Sequence, residues 1–323
     1  MKIGYIGGFW ATNIGNAVYN LGAIHLLQKL YGEENVYFLN DPPAHYWNER
    51  GRNPKNAFDF LSHVTDVDVV LVSGPVLSKQ LASVYRTIFS ELTKRGIKIG
   101  YISAGLSQYT PEEIAAVQKL FQEYPPYVVT TRDAVTYSAL KEIRGEMNLY
   151  NGICTGFYVG DAVNIAPIDI ESFVVYNFSY RNEPVISIRD DTIHVRKHQI
   201  LDRYPATLGE DAIVRTVSEG FSRFKFMIFN RPNVYYSDLP HNYLSIYKHA
   251  KMVLSERVHT CVATLSLGGK AMYIAHSKRA LDGRRSLFDR LILTEMYERP
   301  VSLDVDLLSR EKRKLEGFLK QNM

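Results

Sequence analysis

The sequence predicts an α/β protein built from two doubly wound domains in tandem. Short apolar runs alternate with amphipathic segments of helical length, which is typical of βαβ units. The runs are nearly continuous, and this indicates parallel strands covered by helices on both faces of a sheet. The alternation breaks at residues 165–172, IAPIDIES, and then restarts. Because 323 residues are many for one core, we expect one domain at 1–168 and a second at 169–323.

The first domain follows the βαβ pattern from its start. Its predicted strands are 2–8, 35–40, 66–75, 98–105 and 127–132. Its predicted helices are 17–32, 81–96, 110–124 and 133–145. The third helix has the clearest start, because Thr110, Pro111 and Glu113 form a capping-box pattern with proline in the first turn.

The second domain repeats the pattern. Its predicted strands are 184–189, 225–230, 251–255 and 270–277, and its predicted helices are 209–224, 241–250 and 259–269. The basic amphipathic segment 307–323 is a last helix that can cross back to the first domain. It suits docking on a membrane surface, but packing against the domains is the commoner case. Two Rossmann-like domains facing a central cleft form the layout called GT-B.

Composition narrows the class of function. The chain has 38 basic and 34 acidic residues, a net charge of +4, and the basic residues are scattered. This balance favours a local site for an anionic small molecule over a nucleic-acid face. No apolar run is long enough to span a membrane, and the start lacks a secretory pattern. Cys154 and Cys261 form neither a metal pattern nor a disulfide framework, so we expect a cytoplasmic protein without a metal site.

Cationic side chains follow the predicted strands of the second domain. Arg257 and His259 come after strand 251–255 and open a helix, Lys278 follows strand 270–277, and Arg189 ends strand 184–189. Ligands of open parallel sheets bind beyond the carboxyl ends of the strands, and a helix N-terminus favours an anion. A single arginine there is usually a surface residue and a single histidine often a cap. Together, the four predict a site that binds a phosphate and a carboxylate.

The segment RVHTCVATLSLGGKAMYI with Lys278 resembles the C-terminal signature of the polysaccharide pyruvyl transferase family. Other segments resemble that family in the same order, namely NIGN at 13–16, SGP at 73–75, SAG at 103–105, TTRDAVTYSAL at 130–140, Asp161 and ISIR at 186–189. Two positions depart from the family pattern. Asn16 stands where an aspartate is usual, and Ser73 replaces a glycine.

The resemblance implies transfer of pyruvate from phosphoenolpyruvate (PEP) to a sugar of a cell-surface polysaccharide or its lipid-linked precursor, forming a ketal. His259 would protonate the donor, while Arg257, Arg189 and Lys278 would hold its anionic groups. Asn13 and Asn16 would lie on the acceptor side. Because Asn16 and Ser73 depart from the family pattern in this half of the chain, the identity of the acceptor is open. No cofactor is implied, and the lipid-linked acceptor would place the protein at the inner face of the membrane.

Several readings stay open. The loop with Asn13 and Asn16 could equally be a tight turn with an asparagine cap. Arg132 and Asp133 fit a strand-end ion pair with capping better than catalytic groups. A glycosyltransferase using a nucleotide sugar could have the same architecture, and it would need an acidic residue at the donor ribose. No acidic residue at 255–290 is a convincing partner for the donor ribose, although Glu256 and Asp282 remain candidates. A degenerate, non-catalytic binding subunit is the other alternative.

Overall fold

A computed structural model describes residues 1–7, 13–40, 64–143, 147–179, 183–196, 204–217, 229–275 and 285–323. Lys278 and Asp282 lie outside these residues, as does most of the predicted strand 225–230. The described parts form two six-stranded sheets and a separate two-stranded hairpin.

The first sheet is entirely parallel, with the strand order β2-β1-β3-β4-β5-β6. Its strands are β1 Ile3–Gly7, β2 Val36–Asn40, β3 Val69–Leu77, β4 Lys98–Leu106, β5 Val128–Thr131 and β6 Asn148–Asn151. Its helices are α1 Ile14–Tyr31, α2 Lys79–Val84, α3 Arg86–Lys94, α4 Pro111–Glu123 and α5 Ala134–Lys141. The chain leaves β1 first toward β2 and later toward β3, so the topological switch point lies between β1 and β3.

The second sheet has the order β10-β11-β7-β13-β14, with β12 also paired to β11. Only the β10–β11 pairing is antiparallel. Its strands are β7 Phe173–Asn177, β10 Thr207–Leu208, β11 Asp211–Thr216, β12 Val234–Tyr235, β13 Met252–Ser255 and β14 Ala271–Tyr273. The chain runs from β7 to β11 on one side and later to β13 on the other, so a second switch point lies between β7 and β13.

The remaining elements connect or flank the two sheets. The helices are α6 Val159–Ala162, α7 Pro240–His249, α8 Val258–Ser266, α9 Ser286–Asp289 and α10 Val305–Asn322. Short 3-10 turns occupy Glu33–Asn35, Thr155–Tyr158 and Thr294–Tyr297. Strands β8 Val185–Arg189 and β9 Thr192–Arg196 form the antiparallel hairpin.

Two predictions for the second domain are wrong. The segment 209–224, predicted as a helix, contains strand β11, because pairing with β7 buries Ile213 and Arg215 on one face and overrides local periodicity. The segment 184–189 is a hairpin strand and not part of the parallel sheet, whose central strand is β7.

In the first domain, the predicted helix 81–96 is interrupted near Tyr85, which separates α2 from α3.

One of the three clusters of buried hydrophobic side chains in the described residues joins the two halves of the chain. This cluster includes Tyr5 and Val18 from the first half and Val175 and Val262 from the second. Helix α10 contacts both halves, and its Glu311 accepts a hydrogen bond from Arg290 of the second half. Phe318 stacks on Tyr150 with ring centroids 4.9 Å apart. The basic amphipathic helix therefore uses its apolar face for packing within the protein.

Candidate functional site

Helix α8 begins immediately after β13, at the carboxyl end of the second sheet. Ser255 is the last residue of β13, and its Oγ accepts a hydrogen bond of 2.8 Å from the backbone N–H of Arg257. Arg257 occupies the N-cap position of α8, and His259 is the second helical residue. Both side chains therefore start at the switch point between β7 and β13.

A buried network of polar side chains fixes this strand end. Asn177 closes β7, and its side-chain amide donates to the backbone oxygen and Oγ1 of Thr216 at 2.9 Å each. Asn177 Oδ1 accepts from Ser255 at 3.1 Å and from Thr260 at 2.9 Å. These four residues come from β7, β11, β13 and α8, so the network holds the start of α8 against three strands.

His259 lies against the first half of the chain. Its Nε2 is 3.7 Å from Cys154 Sγ, and its ring centroid is 5.2 Å from that of Tyr19 in α1. A Cβ placed on Gly15 would lie 3.2 Å from His259 Nδ1. The imidazole is thus enclosed by three residues of the first half, and α1 and α8 meet at their N-termini. Both helix ends carry partial positive charge, which favours an anion between them.

Gly74 lets Tyr19 reach this position. Its φ is +92°, a conformation that favours glycine, and a Cβ there would lie 2.6 Å from the Tyr19 hydroxyl. The glycine within β3, at an irregularity in its pairing with β4, therefore leaves room for Tyr19 to pass and touch His259.

Asn13 is the N-cap of α1, and its Oδ1 accepts a hydrogen bond of 2.9 Å from Gly15 N–H. Asn16 lies in the first turn, half-buried, with its backbone N–H bonded to the Asn13 carbonyl. The capping role of Asn13 is therefore present. Binding of an acceptor by Asn13 and Asn16 stays a prediction.

Arg132 is a buried cation that sequence reasoning assigned to an ion pair. Its side chain is 4% exposed, and its Nε is 4.0 Å from Asp133 Oδ2. The Asp133 carboxylate instead caps α5 through Thr136 N–H and accepts bonds from the hydroxyls of Thr136 and Tyr109. Burial raises the pKa of Asp133, although Arg132 and the Thr136 bonds lower it in part. Arg132 is therefore an incomplete partner of Asp133.

The Arg132 guanidinium has unused donors. Its Nε and Nη1 have no hydrogen-bond partner among the described residues. A Cβ on Gly105 would lie 2.4 Å from Nε, so only glycine leaves room for this group. A buried cation with unmet donors suits an anionic ligand. Arg132 directly follows β5, so its place at a strand end, like that of Arg257, was the signal in the sequence that could have marked it as a candidate anion ligand.

Of the other two predicted cations, the structure describes Arg189 but not Lys278. Arg189 is exposed at the end of β8, and its Cα partner in the hairpin is Thr192. Its predicted place at the end of a parallel strand is wrong, because 185–189 pairs only with β9. Lys278 cannot be placed, since residues 276–284 lie outside the described parts.

The Glu256 carboxylate is already hydrogen-bonded to another residue of the protein. Its Oε1 accepts hydrogen bonds from the backbone N–H of Ser179, at 2.7 Å, and from the Ser179 hydroxyl. Arg257 Nε lies 3.9 Å from the same oxygen. The carboxylate anchors the segment after β7, and a donor ribose would have to displace these bonds.

Two features are absent from the described residues. No group of three or more His, Cys, Asp or Glu side chains is arranged to hold a metal ion there. Within the same residues, no helix combines the length and the apolar character needed to cross a membrane.

Comparison with solved structures shows the fold. The structure resembles that of UDP-GlcNAc 2-epimerase from Neisseria meningitidis bound to UDP-GlcNAc, with 14% identity, a TM-score of 0.51, and coverage of 99% of this chain and 100% of that one. It also resembles the S. aureus MnaA–UDP structure, with 13% identity, a TM-score of 0.53, and coverage of 99% and 97%. This likeness confirms two Rossmann-like domains in a GT-B-like layout.

Comparison of sequences shows the family. No curated protein sequence matches the chain. The profile of the family described as polysaccharide pyruvyl transferase matches residues 13–278, which contain the Arg257–His259 segment. The match covers most of the chain and agrees with the motifs identified in the sequence. The protein is therefore a transferase that belongs to the polysaccharide pyruvyl transferase family.

Proposed function

We propose that the protein transfers pyruvate from PEP to two hydroxyls of a sugar, forming a ketal and releasing phosphate. The observation that carries this proposal is the position of His259, which lies beside Arg257 at one helix N-terminus and against the N-terminus of α1. An acid next to a convergence of positive charge suits a donor with two anionic groups.

The donor site is the cationic region around α8. Arg257 and the free N–H groups of α8 would bind one anionic group of PEP, and arginine adds bidentate geometry. Arg132 is a second cation with unused donors, and it comes from the first half of the chain. Arg189 and Lys278 remain predicted donor ligands.

The chemistry requires one acid and one attack by each hydroxyl. His259 would give a proton to the methylene carbon of PEP, which forms a C–H bond and makes C2 electrophilic. One sugar oxygen then bonds to C2, and the second displaces the phosphate. Of the two hydroxyl protons, one restores His259 and the other leaves with the phosphate. Because PEP already carries its leaving group, the reaction needs no cofactor.

The acceptor would be a sugar of a cell-surface polysaccharide or of its lipid-linked precursor, bound on the side of Asn13 and Asn16. A lipid-linked precursor would place the protein in the cytoplasm, at the inner face of the membrane. The Asn16 departure from the family pattern would then redirect the choice of acceptor.

A glycosyltransferase using a nucleotide sugar is the second candidate. It is favoured by the likeness to structures solved with UDP and UDP-GlcNAc, which is a likeness of fold. The hydrogen bonds between Glu256 and Ser179 count against it, because they occupy the acidic residue that lies beside the donor site.

Calorimetric titration of the full chain with PEP, inorganic phosphate and a panel of UDP-sugars separates these functions. The proposal expects PEP to bind and the UDP-sugars to fail. Phosphate release from PEP with a panel of lipid-linked oligosaccharides then tests catalysis. Binding of a UDP-sugar without PEP would support the glycosyltransferase. PEP binding without phosphate release across the acceptors would support a non-catalytic binding subunit.

A further inference from the structure

We propose that Asn177 is a positioning residue for both Arg257 and His259, because one of its atoms holds the chain on either side of them. Asn177 Oδ1 accepts a hydrogen bond of 3.1 Å from Ser255 and one of 2.9 Å from Thr260. We call these two bonds the Asn177 clamp. The parts that Arg257 and His259 play in the reaction rest on the proposed function, whereas the clamp itself does not.

Groups of fixed hydrogen-bonding character set the direction of the clamp. Asn177 Nδ2 donates to the Thr216 carbonyl, which can only accept, so Oδ1 is the atom that faces Ser255 and Thr260. An amide oxygen carries no hydrogen, so a hydroxyl that bonds to it must donate. Ser255 Oγ also lies 3.1 Å from the backbone oxygen of Asn177, and it accepts from the Arg257 N–H at 2.8 Å. The four side chains of this network are at most 4% exposed, so water competes little for these bonds.

The clamp is not required for the pairing of the strands. Backbone pairing of β7 with β13 already sets Asn177 opposite Ser255. The Asn177 side chain adds a bond to Thr260, which lies in the first turn of α8. Because each residue turns an α-helix by about 100°, holding Thr260 toward β7 fixes the direction in which its neighbour His259 points. His259 then faces the first half of the chain, where its ring centroid lies 5.2 Å from that of Tyr19.

The two bonds of the clamp act on different residues. Ser255 also bonds to the Arg257 N–H, so its hydroxyl fixes the residue proposed to hold the donor. Thr260 directly follows His259, so its hydroxyl fixes the proposed acid. Loss of the Ser255 hydroxyl should therefore weaken PEP binding, whereas loss of the Thr260 hydroxyl should slow turnover. A role in stability alone would not separate these two effects.

Amide hydrogen exchange of the ligand-free protein tests the clamp without any substrate. Ser255→Ala and Thr260→Val should each speed exchange in the peptide 256–262 by about 3- to 10-fold, the effect of one lost hydrogen bond. Thr264→Val is the matched control, because Thr264 is also buried but donates its hydroxyl to the Thr260 carbonyl within the helix, at 2.8 Å. Unchanged exchange in Thr260→Val, or an equal change in Thr264→Val, would overturn the proposal.

A double-mutant cycle tests whether the Thr260 hydroxyl acts through Asn177. Asn177→Ala removes Oδ1, so adding Thr260→Val to it should speed exchange by less than about 2-fold further. Thr260→Ser keeps the hydroxyl and should behave as the wild type. If Asn177→Ala does not fold, Asn177→Leu fills the space without an acceptor and replaces it. A full additional effect of Thr260→Val in either folded background contradicts the clamp.

Calorimetry and kinetics test the consequence for the reaction. Ser255→Ala should raise the Kd for PEP by about 3- to 10-fold and change kcat by less than about 2-fold. Thr260→Val should lower kcat by about 3- to 10-fold and change the Kd by less than about 2-fold. Thr264→Val should alter neither quantity. Parallel changes of Kd and kcat in both variants would overturn the positioning roles. A wild type without PEP binding or turnover would instead reject the proposed function, leaving the exchange result to stand alone.

Discussion

Gly15 and His259 lie so close together that a Cβ on Gly15 would crowd the imidazole, although the two are 244 positions apart and belong to different Rossmann-like domains. A Cβ on Gly15 would lie 3.2 Å from His259 Nδ1, 3.3 Å from His259 Cβ and 3.0 Å from Asn13 Oδ1. Such approaches are tighter than ordinary contacts, so one of these neighbours must move when a side chain is added. The contact joins the cap of α1 to the proposed catalytic acid.

The first prediction is that Gly15→Ala lowers turnover while the protein stays folded. Displacement of His259 by a few tenths of an ångström disturbs its alignment with the donor, and we expect a loss of about 10-fold in kcat. Steady-state kinetics and the thermal midpoint measure the two effects. Gly317→Ala is the control, since nothing lies within 4 Å of a Cβ there. Full activity in Gly15→Ala would mean that the contact has no role in catalysis.

The second prediction separates Arg257 from His259. Arg257→Ala should weaken PEP binding by about 2 to 4 kcal/mol, or about 30- to 1000-fold, because a charge-assisted contact is lost. His259→Ala should lower turnover by about 100- to 10,000-fold with a smaller effect on binding. Substantial turnover in His259→Gln would show that the proton comes from another group.

The third prediction concerns Arg132, whose buried guanidinium lacks a complete partner. Arg132→Met should lower the thermal midpoint of the ligand-free protein, since the change leaves the buried Asp133 carboxylate without the neighbouring positive charge. The same change should remove much of the stabilisation that PEP gives to the wild type. Thermal denaturation with and without PEP measures both. Arg86→Met, which removes an exposed ion pair with Glu123, should leave the effect of PEP intact. Equal stabilisation by PEP in Arg132→Met would exclude Arg132 from the donor site.

The fourth prediction concerns pH and the docking of α10. Burial alone would raise the pKa of Glu311, but hydrogen bonds from Lys314 and Arg290 outweigh it and hold the pKa below its ordinary value. The stabilisation is therefore present above the ordinary carboxyl pKa and is lost as the pH falls through the lower, folded value. Glu311→Gln should cost about 1 to 3 kcal/mol of unfolding free energy at pH 7.

Denaturant unfolding at several pH values checks this difference between wild type and Glu311→Gln, which should vanish in acid. Glu316→Gln is the control, because its partner Lys29 is half exposed and such a pair contributes about 0 to 1 kcal/mol. A difference that persists in acid would mean that shape, and not charge, makes Glu311 important.

The fifth prediction compares two glycines that have open space around them. Gly317 lies inside α10, so Gly317→Ala should stabilise the protein by about 0.5 to 1 kcal/mol through helix propensity. Gly268 has a φ of +84°, so Gly268→Ala should destabilise it by about 1 to 2 kcal/mol. Urea unfolding measures both. Changes of the same sign would show that backbone conformation does not decide between them.

Local signals in the sequence determined a large part of this structure. The continuous apolar runs predicted all but the last strand of the first sheet, and Thr110 caps α4 through Glu113 N–H as its pattern predicts. The position of Arg257 and His259 beyond β13 also followed from the sequence, because a strand that ends before a small-residue helix is a local feature. These signals involve residues near one another in the chain. Secondary-structure propensity and helix capping depend on such neighbours, so they can be predicted from the sequence alone.

The tertiary structure decided what depends on distant partners. Segment 211–216 is a strand only because β7 lies beside it. Segment 185–189, predicted as a strand of the parallel sheet, instead pairs with β9. Cys154 had no motif to mark it, and its meeting with His259 arises where the carboxyl ends of two sheets come together. The incomplete pairing of Arg132 likewise depends on Asp133 turning to cap α5. Sequence periodicity records which face of an element is buried, whereas packing across the two domains selects the side chains that meet there.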